Sequence, residues 1–121
     1  MKLIRLAGLC LGAWLAVSVS AKDTATYPSA AAKAHVGEYA TVVGKVSGVH
    51  VTGKGDTFVN LGAPYPDHDF TAVIFAADAD KFGDLEPLEG QTVSVTGTIK
   101  EFKGKPEIIV SAPELLKTKP N

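Results

Sequence analysis

Hydrophobic and polar positions alternate most cleanly over residues 91–99. There Val93, Val95, Gly97 and Ile99 interleave with Thr92, Ser94, Thr96 and Thr98, the period of two that marks a strand with one buried and one wet face. A longer run, residues 39–51, is rich in Val and Thr and also predicts a strand. Its apolar set changes parity halfway. Ala40, Val42, Gly44 and Val46 share one face, whereas Val49 and Val51 fall on the other. A strict alternation cannot bury both sets on one side. A bulge or sharp bend is therefore predicted at Ser47-Gly48, eased by the missing side chain at Gly44. A tight turn at Gly53-Lys54-Gly55-Asp56 then leads into a second strand, residues 57–61.

The remaining pattern completes a small set of strands. Residues 62–69, Gly-Ala-Pro-Tyr-Pro-Asp-His-Asp, read as a loop. Residues 70–75 form a third strand, apolar on nearly every position and so coverable on both faces; which of Phe70 and Phe75 faces outward is left open. Residues 76–88 predict a short helical connection, with early acidic residues and a Phe82/Leu85 pair, limited by Gly83 and Pro87. Residues 100–106 make a turn, and residues 107–111 a fifth strand that Pro113 ends. Ahead of the first strand, residues 30–36 allow a turn or two of helix, with Ser29 as N-cap and Gly37 as terminator. Three strands, a short helix and two strands, with a long bent first strand, predict an all-β, five-stranded Greek-key barrel of the OB-fold type. That domain is placed at residues 38–113, after a lead-in at 22–37 and before a polar tail at 114–121.

The N-terminal end changes the picture. Lys2 and Arg5 precede an apolar run from Leu6 to Val17, followed by small residues through Ala21. This predicts a secretory signal peptide over residues 1–21, cleaved after Ala21. The rival, a membrane anchor, needs roughly 20 apolar residues. Cys10 lies inside the run without a small residue directly before it, so it reads as a signal-peptide residue rather than a lipid-attachment site. The exported chain is then expected in the periplasm or outside the cell, with no membrane span, no cysteine and no disulfide. Its charge is 10 basic against 13 acidic residues, a net of −3, because two of the 12 Lys+Arg leave with the signal. All ten basic residues are lysine, so no guanidinium fork is present for bidentate phosphate contacts.

From His35-Val36-Gly37-Glu38 to Ser111-Ala112-Pro113, the chain resembles small secreted bacterial OB-fold proteins of the nucleic-acid-binding type. The residues carrying the resemblance include Gly44-Lys45-Val46, Thr57-Phe58-Val59-Asn60-Leu61-Gly62, Tyr65-Pro66, Phe70 to Phe75, Val93 to Gly97 and Lys103 to Ile108. The architecture is also similar to the anticodon-binding OB domains of some synthetases. A shared fold does not by itself transfer function.

Candidate chemistry concentrates in one turn. Lys100, Lys103 and Lys105 surround Phe102, and Lys54 in the first turn adds a further charge. The loops between strands one and two and between strands four and five flank the usual OB-fold groove. Phe58 and Phe102 are candidates to stack on bases, with the lysines contacting phosphates as point charges. Asp67-His68-Asp69 near Tyr65 has metal-like composition, but adjacent side chains in an extended loop point apart; a wet loop is expected. Ser47 and His50 lack a nucleophile elbow. Phosphodiester cleavage needs arginine or a metal clamp, and the exported chain holds no arginine, so no catalysis and no cofactor are expected. The expected function is an exported, monomeric binding module for single-stranded nucleic acid or nucleotides. The rival expectation is a periplasmic stress-tolerance module that binds an envelope protein or cationic ligand through Asp78, Asp80, Asp84, Glu86 and Glu89.

Overall fold

The computed structural model describes residues 24–119; the predicted signal segment lies outside them. The chain forms β1 (Thr26–Pro28), a 3₁₀ helix (Ser29–His35), β2 (Tyr39–Val51), β3 (Thr57–Gly62) and β4 (His68–Ile74). Next come α1 (Ala76–Ala79), a 3₁₀ turn (Glu86–Leu88), β5 (Thr92–Thr98), β6 (Lys100–Phe102) and β7 (Lys105–Ile109). A second 3₁₀ turn (Pro113–Leu115) and β8 (Leu116–Thr118) end the described residues.

The parity change in β2 is a bulge. The strand pairs with β5 from Tyr39 to Lys45 and with β3 from Val46 onward, and its register shifts between Val46 and Gly48. Ala40, Val42 and Val46 reach the core before the shift, and Val49 packs against the core after it. One bent strand thus serves two halves of the sheet, as its pattern requires.

The hydrogen-bonded order is β6-β7-β4-β3-β2-β5-β8, with β1 lying parallel along β2 on the edge opposite β5. β4 and β7 are also parallel; the other pairs are antiparallel. This is an open, curled sheet with an OB-like course. Its two ends meet over the core at Gly97, where a Cβ would lie 2.6 Å from Cγ2 of Ile108. A side chain at 97 would hold β5 away from β7.

Three short strands join the five expected ones. β1 lies in the expected lead-in, β6 in the expected turn, and β8 in the expected polar tail, where Leu116 pairs with Val95. Segments of three residues carry no readable period, and their pairing comes from the sheet edges they meet.

The N-terminal helix differs from its prediction. It is 3₁₀, and Ser29 is its first residue rather than its cap; Pro28 holds the N-cap position with no side-chain bond. Ser29 is buried, and a Cβ at Gly44 would come within 2.7 Å of its Oγ and 3.3 Å of Leu61 Cβ. The missing side chain at Gly44 is therefore a docking seat for the helix, whose Ala32 enters the core. Gly44→Val is expected to cost about 1–3 kcal/mol by overpacking. Gly48→Ala, where a Cβ meets nothing within 4 Å, should change stability by about 0.5 kcal/mol or less. Urea-unfolding midpoints of the two variants compare them directly.

Candidate functional site

The outer face of β3, β4 and β7 is set by alternation. Val59 and Leu61, Phe70 and Ala72, and Ile108 are fully buried. Their neighbours Phe58 and Asn60, Asp69, Thr71 and Val73, and Lys105, Glu107 and Ile109 point to the other side. The ladders align these into rows across the strands. One row runs His50, Phe58, Val73, Ile109. The next runs Gly48, Asn60, Thr71, Glu107, Lys100. Beyond it Lys105 lies opposite Phe102.

The middle row is tied by hydrogen bonds. Thr71 Oγ1 donates to Asn60 Oδ1 at 2.8 Å, and Ser47 Oγ donates to Asn60 O at 3.1 Å. Ser47 is thus part of the bent-strand scaffold. His50 stands 6.5 Å from Phe58, centroid to centroid, and adds a second ring to the first row.

The β6–β7 hairpin turns on Lys103 and Gly104, with φ of 52° and 81°. Two left-handed central residues match the right-handed twist of the flanking strands. Phe102 is 59 % exposed, and Lys103 Nζ sits 5.3 Å from its ring centroid. The hairpin therefore presents a ring and an ammonium side by side in water. Lys105 does not share that freedom. Its Nζ donates to the carbonyl of His68 at 2.7 Å, locking the hairpin to the start of β4.

His68 is not on a wet loop as expected. It opens β4 on the inward parity and is only 7 % exposed. Burial, and then the Lys105 ammonium, hold its imidazole below the ordinary histidine range. The unfolded chain takes up that proton more readily, so this residue's contribution to stability is present above the ordinary range and lost as pH falls through it. Outside it, Tyr65 is 75 % exposed and stacks on the His68 ring at 5.5 Å and 19°. Phe102 is thus the exposed ring at the hairpin end of this face, whereas Tyr65 lies against the inward-facing His68. The stacking of Tyr65 is not visible in the sequence, because its partner's burial depends on where β4 begins. Asp67, His68 and Asp69 do not converge; among the described residues no group of three His, Cys, Asp or Glu is placed to hold a metal.

Lys54 stands at the opposite end. Its turn is anchored by the Ala76 N–H, which donates to Asp56 Oδ1 at 2.8 Å. From His68, beside the hairpin, to Ile74, beside this turn, β4 advances six residues, about 20 Å at 3.3 Å per residue. Phe58, Lys100 and Phe102 share one face, while Lys54 and Lys103 mark its two ends. A ligand touching both must run along the strands.

Glu107 sits between them. Burial raises its carboxyl above the ordinary glutamate range, and Lys100 across the ladder opposes the shift. A raised value means the folded state favours the protonated form, so stability from this group is lost as pH rises through its titration. Its charge also repels an anion on the face. Glu107→Gln is expected to tighten polyanion binding at neutral pH and to flatten the gain in affinity as pH falls toward the carboxylate range. Oligonucleotide titrations at several pH values check both effects.

Among similar solved structures, one has the same fold over most of this chain. A protein described as an aspartyl-tRNA synthetase from Leishmania major matches with a TM-score of 0.55 and 17% identity, over 84% of this chain and 22% of that one. An asparaginyl-tRNA synthetase from Pyrococcus horikoshii matches with a TM-score of 0.47 and 18% identity, over 80% of this chain and 21% of that one. A Klebsiella pneumoniae protein described as a nucleic acid-binding lipoprotein matches with a TM-score of 0.44 and 14% identity, over 83% of this chain and 95% of that one. The chain spans about a fifth of the length of the two synthetases. No family model and no curated protein matches its sequence.

Proposed function

We propose that this protein is an exported, non-enzymatic OB-fold module that binds single-stranded nucleic acid or nucleotides along the outer face of β3, β4 and β7. The observation that carries the reading is the hairpin end, where the ring of exposed Phe102 stands beside the ammonium of Lys103. Aromatic faces accept any base, and ammonium groups follow the phosphates without reading sequence. The bases of a strand lying along β4 would meet Phe102 first and Phe58 farther on, with its backbone near Lys100 and Lys103 and its far end at Lys54. A tRNA-handling enzyme contains a segment of the same fold, which suits this use of the sheet without assigning it.

Lysine supplies point charges rather than forks, and Glu107 subtracts one. Binding is therefore modest and governed by salt. The basic start and apolar run of residues 1–21 support an exported location, and a single copy supplies every residue of the proposed face.

Three phosphate contacts, at Lys54, Lys100 and Lys103, give a slope of log affinity against log salt of about −2, at roughly 0.7 per contact for single strands. The double variant Lys100→Ala/Lys103→Ala should reduce the slope to about −0.7 and leave the unfolding midpoint unchanged, since both residues are exposed. A slope unchanged by the double substitution removes the hairpin from the site.

A further inference from the structure

The connection between β4 and β5 forms a single α-helical turn, α1, before an irregular stretch over residues 80–85. It leaves that end of the curled sheet partly uncovered. A cleft of about 250 Å³ opens there, walled by Val49 and Val51 of β2, Ile74 of β4, and Phe82 and Leu85 of the connection. Val51 in its wall is 58 % exposed. An apolar cavity of about 150 Å³ accepts a benzene-sized group. This cleft therefore has room for one aromatic or large aliphatic side chain.

The rim is acidic. Asp84 and Glu86 line the mouth, and exposed Asp80 lies on the same connection. Lys81 does not neutralise them; its ammonium is held by Asp78 Oδ1 at 2.8 Å and the Ser111 carbonyl at 3.2 Å. Lys54 on the neighbouring turn leaves the rim net negative. An apolar socket inside a carboxylate ring selects an apolar group carried by cations, and the charges steer its approach. The cleft is too small to enclose a whole ligand, so the occupant extends over the rim.

We propose that this cleft docks a partner protein through a lysine- or arginine-flanked aromatic or leucine side chain. This surface adjoins the Lys54 end of the face of β3, β4 and β7 but shares none of its aromatic side chains, and it stands whether or not that face binds nucleic acid.

The test is an NMR titration of the ¹⁵N-labelled protein with a capped pentapeptide carrying one phenylalanine between two pairs of lysines. Saturable amide shifts are expected at Val49, Val51, Phe82 and Leu85. Replacing the peptide's phenylalanine with alanine, or its lysines with glutamate, should abolish them. The protein variant Asp84→Lys/Glu86→Lys, altered only at exposed positions, should bind the lysine peptide about tenfold or more weakly. Absence of shifts at millimolar peptide overturns the proposal, as does equal binding of the glutamate peptide. Concentration-dependent shifts at the cleft without peptide also overturn it, because they make a second copy of the chain the occupant.

Discussion

Replacing Phe102 with alanine is expected to weaken binding of a single-stranded oligonucleotide roughly 5- to 150-fold. Stacking one base on an aromatic side chain contributes on the order of 1–3 kcal/mol, and each 1.4 kcal/mol is about tenfold in affinity. Phe102 is 59 % exposed on a three-residue edge strand, with only the Lys103 ammonium over its ring. Its removal takes a ligand surface away and little of the core, so the unfolding midpoint should hold while affinity falls. Tyr65→Ala should instead lower stability, because that ring covers His68 and its removal admits water to the buried imidazole. Fluorescence anisotropy for binding and urea denaturation for stability separate the two effects.

The largest loss of stability is expected at the other phenylalanine whose direction the sequence leaves open. Phe70→Ala should cost about 3–5 kcal/mol, because its ring is fully buried on the inward parity of β4. Phe75→Ala should cost about 1 kcal/mol or less, since Phe75 ends the strand at the N-cap of α1 and is 44 % exposed. Urea-unfolding free energies of the two variants decide the matter. The gap between them measures how sharply β4 separates its two sides.

That pair also marks how far the chain can be read without its fold. β5 was legible because its four threonine and serine positions face water and its valines do not. The bulge in β2 was legible because a parity change in one strand admits few repairs. β4 was not, because Val73 and Phe75 are as apolar as the inward Phe70, Ala72 and Ile74. Outward Val73 is 4 % exposed, covered within its own row between Phe58 and Ile109. Local pattern cannot distinguish cover by a core from cover by neighbours on a face.

The candidate site divides in the same way. The Lys100–Lys105 cluster was visible as composition, and its hairpin as a turn. Lys105's attachment to the His68 carbonyl was not, because it joins residues 37 apart through the parallel pairing of β4 and β7. The stacking of Tyr65 on His68 was hidden for the same reason. The 20 Å between the two lysine-bearing loops is likewise a property of strand direction, which no local spacing encodes. Gly44 was read as an aid to bending; the structure makes it the seat for Ser29, a contact that requires knowing where the lead-in returns.

The most direct measurement is an anisotropy titration of the purified protein with labelled oligo-dT and oligo-rU, at low and at physiological salt. Saturable binding of both is expected at low salt, falling with a log–log slope of about −2 as salt rises. No binding at low salt, where attraction between lysines and phosphates is least screened, would contradict the proposed function.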